Sequence, residues 1–165
     1  MVKRYLDEAG TEALDAVYEA LEGDARLDVR AAFSAWNLGE VVGAIDAREQ
    51  RGDIDAASMN TSIGLFVGET RKFVAMRKLD VLAVSGRMLN ESRDLIVKHH
   101  IYQADALQIA TARQSDASLF LTADKRLAEC AQAEGLEVAN PERDQKKVSD
   151  ALNGSSRGRG PVHSL

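Results

Sequence analysis

The sequence of 165 residues contains one cysteine, Cys130, so an intramolecular disulfide is impossible. Cys130 lies in an alanine-rich stretch, where a buried small side chain is expected. No apolar run approaches the roughly 18 residues of a transmembrane helix, and the first residues lack the apolar core of a signal peptide. We therefore expect a protein without a membrane partner and with a cytoplasmic location.

The sequence also lacks an excess of positive charge. Its formal net charge is -5, so no general basic surface is expected for a nucleic-acid backbone. A nuclease with a local basic rim stays compatible with this charge, because an acidic metal site itself adds negative charge. Walker-type and dinucleotide-type glycine loops are absent, and no cysteine–histidine spacing indicates a zinc site.

Predicted helices and strands alternate along the chain. The helical segments are expected near 8–22, 34–51, 56–78, 85–98, 104–113 and 125–134. The short strands are expected near 26–32, 81–84, 119–121 and 136–138. This alternation predicts an α/β domain whose parallel sheet is covered by helices on both faces. An apolar content of 45% is enough for one compact core.

The composition changes after Pro141, where Gly, Ser and charged residues replace most apolar ones. We assign residues 1–142 to the folded domain and residues 143–165 to a disordered tail. Arg157 and Arg159 in this tail are candidates for an RNA contact, although a solvated tail is the simpler interpretation.

Glu40 lies in the helix predicted to begin at Ser34. Residues four apart share one helix face, so Trp36, Glu40 and Ala44 form a stripe. A carboxylate in an apolar stripe is costly to bury unless it is paired or binds a metal. The alternative is that Glu40 lies at the edge of the stripe and reaches water.

Asp105 opens the alanine-rich segment DALQIATA, and Asp124 follows an apolar strand in LFLTAD. Ligand sites in open α/β sheets lie beyond the carboxyl ends of the strands, which is where Asp124 is expected. Each residue also has a purely structural explanation. The helix dipole favours an acid in the first turn, as at Asp105, and Asp124 is a good N-cap for the next helix.

The three carboxylates are chemically coherent as one site. Hard cations such as Mg²⁺ take oxygen ligands, usually a few carboxylates with several waters. Such a cation activates water and orients it on a phosphodiester. Glu40, Asp105 and Asp124 are therefore candidate catalytic and metal-binding residues. His99 and His100 either rim this site or form an exposed pair at a helix end.

Two segments resemble the C-terminal half of PIN domains, most closely the VapC-like toxins of prokaryotic toxin–antitoxin systems. They are HHIYQADALQIATAR, at residues 99–113, and LFLTADKRLAECAQAEGLEV, which follows it closely. The helix AFSAWNLGEVVGAI resembles the family segment that carries a glutamate, here Glu40. The resemblance covers roughly residues 1–140. It implies a Rossmann-like fold with a parallel sheet of about four or five strands.

The resemblance also implies a function, which is Mg²⁺- or Mn²⁺-dependent cleavage of RNA. Matching positions give Glu40, Asp105 and Asp124 as metal ligands, and Thr122 as a residue that supports the site by hydrogen bonding. Many relatives form homodimers and are silenced by a small antitoxin. A homodimer and an antitoxin partner are therefore expected.

The sequence departs from the family at its start. The family begins with a central strand that ends in an aspartate, the first metal ligand, and here both are expected to be missing. In a second interpretation, residues 2–6 form this strand and Asp7 supplies the ligand. A missing aspartate makes a degenerate PIN-like binding module the alternative to an active ribonuclease. A generic phosphotransfer or phosphatase domain is disfavoured, because the sequence has no phosphate-binding glycine loop.

Overall fold

The computed structural model describes residues 2–6, 9–23, 29–154 and 162–164. The helices in these residues are α1 Val2–Tyr5, α2 Thr11–Glu22, α3 Ala35–Gln50, α4 Ala56–Ala75, α5 Gly86–His99, α6 Gln103–Gln114, α7 Lys125–Ala133 and α8 Gln145–Gly154. The strands are β1 Ala31–Ser34, β2 Leu79–Leu82, β3 Leu119–Leu121, β4 Val138–Ala139 and β5 Val162–Ser164. The mixed helix and strand architecture predicted from the sequence is confirmed.

The strands form one sheet in the order β2-β1-β5-β3-β4, with parallel pairing throughout. β5 comes from the far end of the chain and lies between β1 and β3. Val162 is in register with Ala31 on one side and with Leu119 on the other. The central position, which the family resemblance assigns to a first strand, is therefore held by β5 in this structure.

Helices cover both faces of the sheet. Alternate residues of a strand point to opposite faces. Leu119 and Leu121 of β3 accordingly pack into one apolar cluster with side chains of α2, α3, α4 and α8. Phe120 packs into a second cluster with α5, α6 and α7. Each fully buried Leu or Phe side chain contributes about 1.5–3 kcal/mol to folding, so both layers stabilise the sheet.

The starts of four helices follow local capping chemistry. Their N-cap residues are Ser34, Asp55, Ser85 and Asp124. The last three accept a hydrogen bond on the side chain from the backbone N–H three residues further on, which satisfies a donor that the helix leaves unpaired. The helix starts predicted at Ser34, Ser85 and Asp124 are confirmed.

Part of the predicted disordered tail is ordered. Residues 145–154 form α8, which packs against α2. Val148 and Leu152 are four residues apart, so they share one helix face, and both are buried in the cluster that contains α2. The tail assignment for 143–165 is wrong for this helix and for β5. Arg157 and Arg159 lie outside the described residues.

The interpretation of residues 2–6 as the first strand is also wrong, because Val2–Tyr5 is a helical turn. Asp7 lies outside the described residues, and the absence of a first strand and aspartate stays a prediction. Cys130 is buried, as expected. Among the described helices, none is both long and apolar enough to cross a membrane.

Candidate active site

The acidic residues meet at the edge of the sheet where β1 and β3 end. β1 runs directly into α3, which carries Glu40. β3 runs through Thr122 to Asp124, the N-cap of α7. Asp105 lies in the first turn of α6, which packs against β1. This is the edge at which ligands bind in open parallel sheets.

Asp105 is coupled electrostatically to both of the other acids. Burial raises the pKa of Asp105, and the negative charge of Asp124 raises it further. A backbone hydrogen bond from Tyr102 and the positive charge of Arg126 lower the Asp105 pKa in part. The charge of Asp105 in turn contributes to the raised pKa of Glu40. Asp105 is therefore the middle member of the acidic cluster, which we define as Glu40, Asp105 and Asp124.

Glu40 is half-buried and held by two amide side chains. Asn37 Nδ2 donates to Glu40 Oε2 at 2.9 Å, and Gln108 Nε2 donates to the same oxygen at 3.3 Å. Burial raises the pKa of Glu40, while hydrogen bonds from Gln108, Asn37 and Trp36 lower it. Because two donors converge on one oxygen, the carboxylate is held in one orientation.

Asn37 is fixed in turn by the end of β1. It is 2% exposed, and its Oδ1 accepts from the backbone N–H of Ser34 at 2.9 Å and from the Ser34 hydroxyl at 2.8 Å. Since Oδ1 is committed as an acceptor, Nδ2 faces Glu40. Sequence reasoning missed this contact, although an amide three residues after an N-cap serine is a recognisable capping-box pattern.

Gln108 was also missed by sequence reasoning. It lies one turn after Asp105 in α6, so it faces the same side of the helix. Its Oε1 is buried and has no hydrogen-bond partner, the sole such side-chain atom reported for the described residues. Buried amide oxygens normally accept a hydrogen bond, so the unpaired Oε1 of Gln108 beside the acidic cluster is unusual for a buried side chain.

Asp124 is exposed and caps α7. Its Oδ1 accepts from the backbone N–H of Leu127 at 2.8 Å, so the predicted N-cap role is confirmed. Thr122 is 6% exposed, and its Oγ1 accepts from the backbone N–H of Asp124 at 3.1 Å. Thr122 thereby holds the short turn that connects β3 to Asp124.

The predicted stripe of Trp36, Glu40 and Ala44 is not the buried face of α3. Trp36 is 49% exposed and Ala44 is exposed, whereas Asn37, Val41 and Ile45 are the buried residues. Glu40 lies at the boundary between the two faces, where a carboxylate keeps contact with water. This position agrees with the alternative that the sequence left open, in which Glu40 lies at the edge of the stripe and reaches water.

His99 belongs to a different cluster. Its Nε2 lies 2.7 Å from Glu134 Oε1, and its side chain is 12% exposed. Glu134 follows the last turn of α7, about 15 Å along the helix from Asp124. His100 is exposed, and its carbonyl accepts a hydrogen bond from Arg126. The prediction of an exposed histidine pair is therefore wrong, and His99 does not rim the acidic cluster.

The donor set suits a hard cation bound by two carboxylates. The described residues contain no group of three or more His, Cys, Asp or Glu side chains that could hold one ion. β5 separates β1 from β3, and two interstrand spacings amount to about 9–10 Å. Glu40 follows β1 and Asp124 follows β3, while Asp105 interacts electrostatically with both. Mg²⁺ is usually held by one or two carboxylates with several waters, so a group of three is not required.

A protein-family model described as PIN domain matches residues 4–133. The chain belongs to the PIN domain family. PIN domains are generally nucleases that use divalent metal ions and act on RNA or DNA. The matched range includes all three acidic residues of the cluster. Searches of curated proteins and of solved structures gave no match.

Membership in the PIN domain family confirms the resemblance seen in DALQIATA and LFLTAD. It also decides against a generic phosphotransfer or phosphatase domain. The VapC-like subtype stays a prediction. So do the roles of Glu40, Asp105, Asp124 and Thr122 in catalysis or metal binding.

Proposed function

We propose that this PIN domain hydrolyses RNA phosphodiester bonds with Mg²⁺ or Mn²⁺ held at Asp105 together with Glu40 or Asp124. The observation that carries the proposal is the electrostatic coupling of Asp105 to both neighbouring acids. Burial and the charge of Asp124 raise the pKa of Asp105, and burial and the charge of Asp105 raise the pKa of Glu40. Carboxylates that repel one another at a solvent-facing sheet edge are a costly arrangement. A bound divalent cation offsets that cost.

The protein's own residues prepare the site for this chemistry. A divalent cation would supply the charge that activates a water molecule and stabilises the developing negative charge. Asn37 and Gln108 hold Glu40 in one orientation, so less conformational freedom is lost on binding. Thr122 sets the direction of Asp124. Lys125, whose side chain is 91% exposed, offers a positive charge beside Asp124 for a substrate phosphate.

The finer part of the proposal is that the protein is the toxin of a toxin–antitoxin pair. It rests on the resemblance of the two C-terminal segments to VapC-like toxins. In that role the protein forms a homodimer in the cytoplasm and binds a small antitoxin protein that blocks the acidic cluster. Coexpression with the product of a neighbouring small gene, followed by purification of the pair, tests this part separately from the chemistry.

The central experiment measures cleavage of a labelled single-stranded RNA in Mg²⁺, in Mn²⁺ and with a chelator. We expect cleavage with either metal and none with the chelator. Asp105→Asn should lower the rate roughly 100-fold or more, the scale of losing one preorganised electrostatic contact at a reacting centre. Asp94→Asn is the matched control, because Asp94 is an exposed aspartate on α5 that lies outside the acidic cluster. Wild-type cleavage by a folded Asp105→Asn variant would refute the site assignment.

A degenerate PIN domain that binds RNA or a partner without cutting is the second candidate. It is favoured by one observation, the lack of a three-carboxylate group among the described residues. Calorimetric titration with Mn²⁺ separates the two functions. Heat that saturates with wild-type protein and disappears in Asp105→Asn supports the nuclease. No binding at millimolar Mn²⁺ supports the degenerate module.

A further inference from the structure

Only two of the protein's aromatic side chains are exposed. The chain contains four Phe, three Tyr and one Trp, and all of them lie in described residues. The four Phe and Tyr18 are buried, and Tyr5 is partly buried against the core. Trp36 is 49% exposed and Tyr102 is 83% exposed. Aromatic side chains carry a large apolar area, so two that stay in water need an explanation.

Both exposed aromatics stand next to members of the acidic cluster. Trp36 lies one turn before Glu40 on the same face of α3, and it donates a hydrogen bond to the Glu40 side chain. Tyr102 is the N-cap residue of α6, and its backbone hydrogen bond reaches Asp105. Each aromatic residue therefore contacts one acidic residue, and the two positions in each pair are about 4.5–6 Å apart along the helix axis.

The surface around Trp36 has room for a planar group. An open cleft of about 430 Å³ is lined by Ala35, Trp36, Gly39 and Glu40. Gly39 has open space where a side chain would be, since an added Cβ would meet nothing within 4 Å. The indole therefore borders a shallow cleft whose other walls are small residues and one carboxylate.

The two rings stand among charged side chains rather than in an apolar patch. Glu40, Asp105 and Asp124 lie among them, and Lys125 and Arg126 follow directly in the chain. The other large exposed apolar residues are on α4, its C-terminal turn and α5 rather than beside the cluster; they are Leu65, Val74, Met76, Leu89 and Val97. Exposed aromatic side chains on which unpaired bases stack are typical of surfaces that bind single-stranded nucleic acids.

We propose that Trp36 and Tyr102 each stack an unpaired base of a single-stranded nucleic acid, one on either side of the phosphodiester group at the acidic cluster. The inference rests on the proposed nuclease function, which supplies the phosphodiester group. It assigns the preference for unpaired nucleotides to two specific side chains. Because every base has a flat face, this contact tolerates sequence differences and rejects duplexes.

Trp36 is the single tryptophan in the chain, so its fluorescence reports directly on stacking. We would titrate the full chain in Ca²⁺, which also takes oxygen ligands, in place of the Mg²⁺ or Mn²⁺ that supports the proposed cleavage. The probes are a single-stranded RNA, a single-stranded DNA, the matching duplex and an abasic strand of equal length. Quenching is expected with both single strands and not with the duplex or the abasic strand, which carries the same phosphates. Stronger quenching by RNA than by DNA would identify RNA as the ligand.

Substitutions separate stacking from a purely structural role. Trp36→Leu and Tyr102→Leu should each raise KM for single-stranded RNA by on the order of 10-fold. Tyr102→Leu should leave kcat and Mn²⁺ binding unchanged, because Tyr102 meets Asp105 only through its backbone. Trp36→Phe should recover most of the KM, because it keeps a flat ring. It also removes the indole N–H, so a phenylalanine variant as impaired as the leucine variant would overturn stacking in favour of the hydrogen bond to Glu40. Leu89→Ala is the control, since Leu89 is 48% exposed on α5.

The outcomes also separate this inference from the proposed function. Metal-dependent cleavage with an unchanged KM in both leucine variants would overturn stacking and leave the nuclease standing. Base-dependent quenching without any metal-dependent cleavage would support stacking while the nuclease proposal fails. Fluorescence that no oligonucleotide changes would overturn the inference and leave the two aromatics to a protein partner.

Discussion

Replacing Asn37 with alanine tests the network that orients Glu40. The change removes the acceptor for the backbone N–H of Ser34, a residue that is 1% exposed. Leaving a buried donor unpaired costs about 1–3 kcal/mol. The change also removes one donor to Glu40, but that carboxylate is half-exposed, so solvent screening limits the loss to about 0–1 kcal/mol. We expect Asn37→Ala to lower the free energy of unfolding by about 2–3 kcal/mol, or the melting temperature by roughly 5–10 °C.

Asn37→Asp is the matched variant, because its carboxylate keeps the acceptor for Ser34. It replaces the donor to Glu40 with a negative charge. Two repelling carboxylates have folded-state pKa values above their unfolded values, so the cost is present at neutral pH and fades as pH falls through those folded-state values. The aspartate variant should therefore approach wild-type stability on acidification. The alanine variant should keep its deficit across the same range.

Urea unfolding followed by circular dichroism at pH 7 and pH 5 measures both variants. Cleavage assays on the same samples should show a lower rate for both, because Glu40 is no longer held in one orientation. An alanine variant within about 0.5 kcal/mol of wild type would refute the argument from the buried donor. An aspartate variant with the same deficit at both pH values would refute the argument from repulsion.

Two further predictions concern regions away from the acidic cluster. Leu152→Ala should destabilise the protein by about 2–4 kcal/mol, the usual cost of truncating a buried leucine. The control is Asn153→Ala on the exposed side of α8, which should cost less than about 0.5 kcal/mol. Equal effects of the two variants in urea unfolding would contradict the packing of α8. Glu134 accepts hydrogen bonds from Lys98 and His99, which hold the pKa of its carboxyl below the usual value. The ionised Glu134 therefore stabilises the folded protein above the unfolded-state pKa, and this contribution is lost as pH falls through the lowered folded-state pKa. Glu134→Gln should therefore cost up to about 1 kcal/mol at pH 7 after screening. A deficit that does not shrink towards pH 3 would contradict this.

Local sequence patterns predicted the helices and strands that lie next to the acidic cluster. Ser34, Ser85 and Asp124 cap their helices as expected, because capping depends on residues within one turn. The strand at 119–121 has the predicted bounds, since a short apolar run before T-x-D is a local pattern. Asp124 was expected beyond the carboxyl end of a strand from the rule for open parallel sheets, and Asp105 interacts with it there.

The parts that sequence reasoning missed depend on contacts between distant residues. α8 has only Val148, Ala151 and Leu152 as apolar residues, and its burial depends on the face that α2 offers. Gln108 is a polar residue in α6, and its contact with Glu40 depends on the relative positions of α3 and α6. His99 was misassigned for the same reason, because its partner Glu134 is 35 residues away in the chain.

The sheet consists of two strand pairs connected by β5, and we call the contacts of β5 with β1 and β3 the joint. β2 pairs with β1, and β3 pairs with β4, but only β5 bridges these pairs within the described residues. Its three residues contribute few backbone hydrogen bonds, and closing the long loop back to β1 carries an entropic cost. We expect the amides along this joint to exchange with solvent hydrogen sooner than those inside either pair. Because Glu40 follows one half and Asp124 follows the other, opening the joint would change the distance between these two carboxylates.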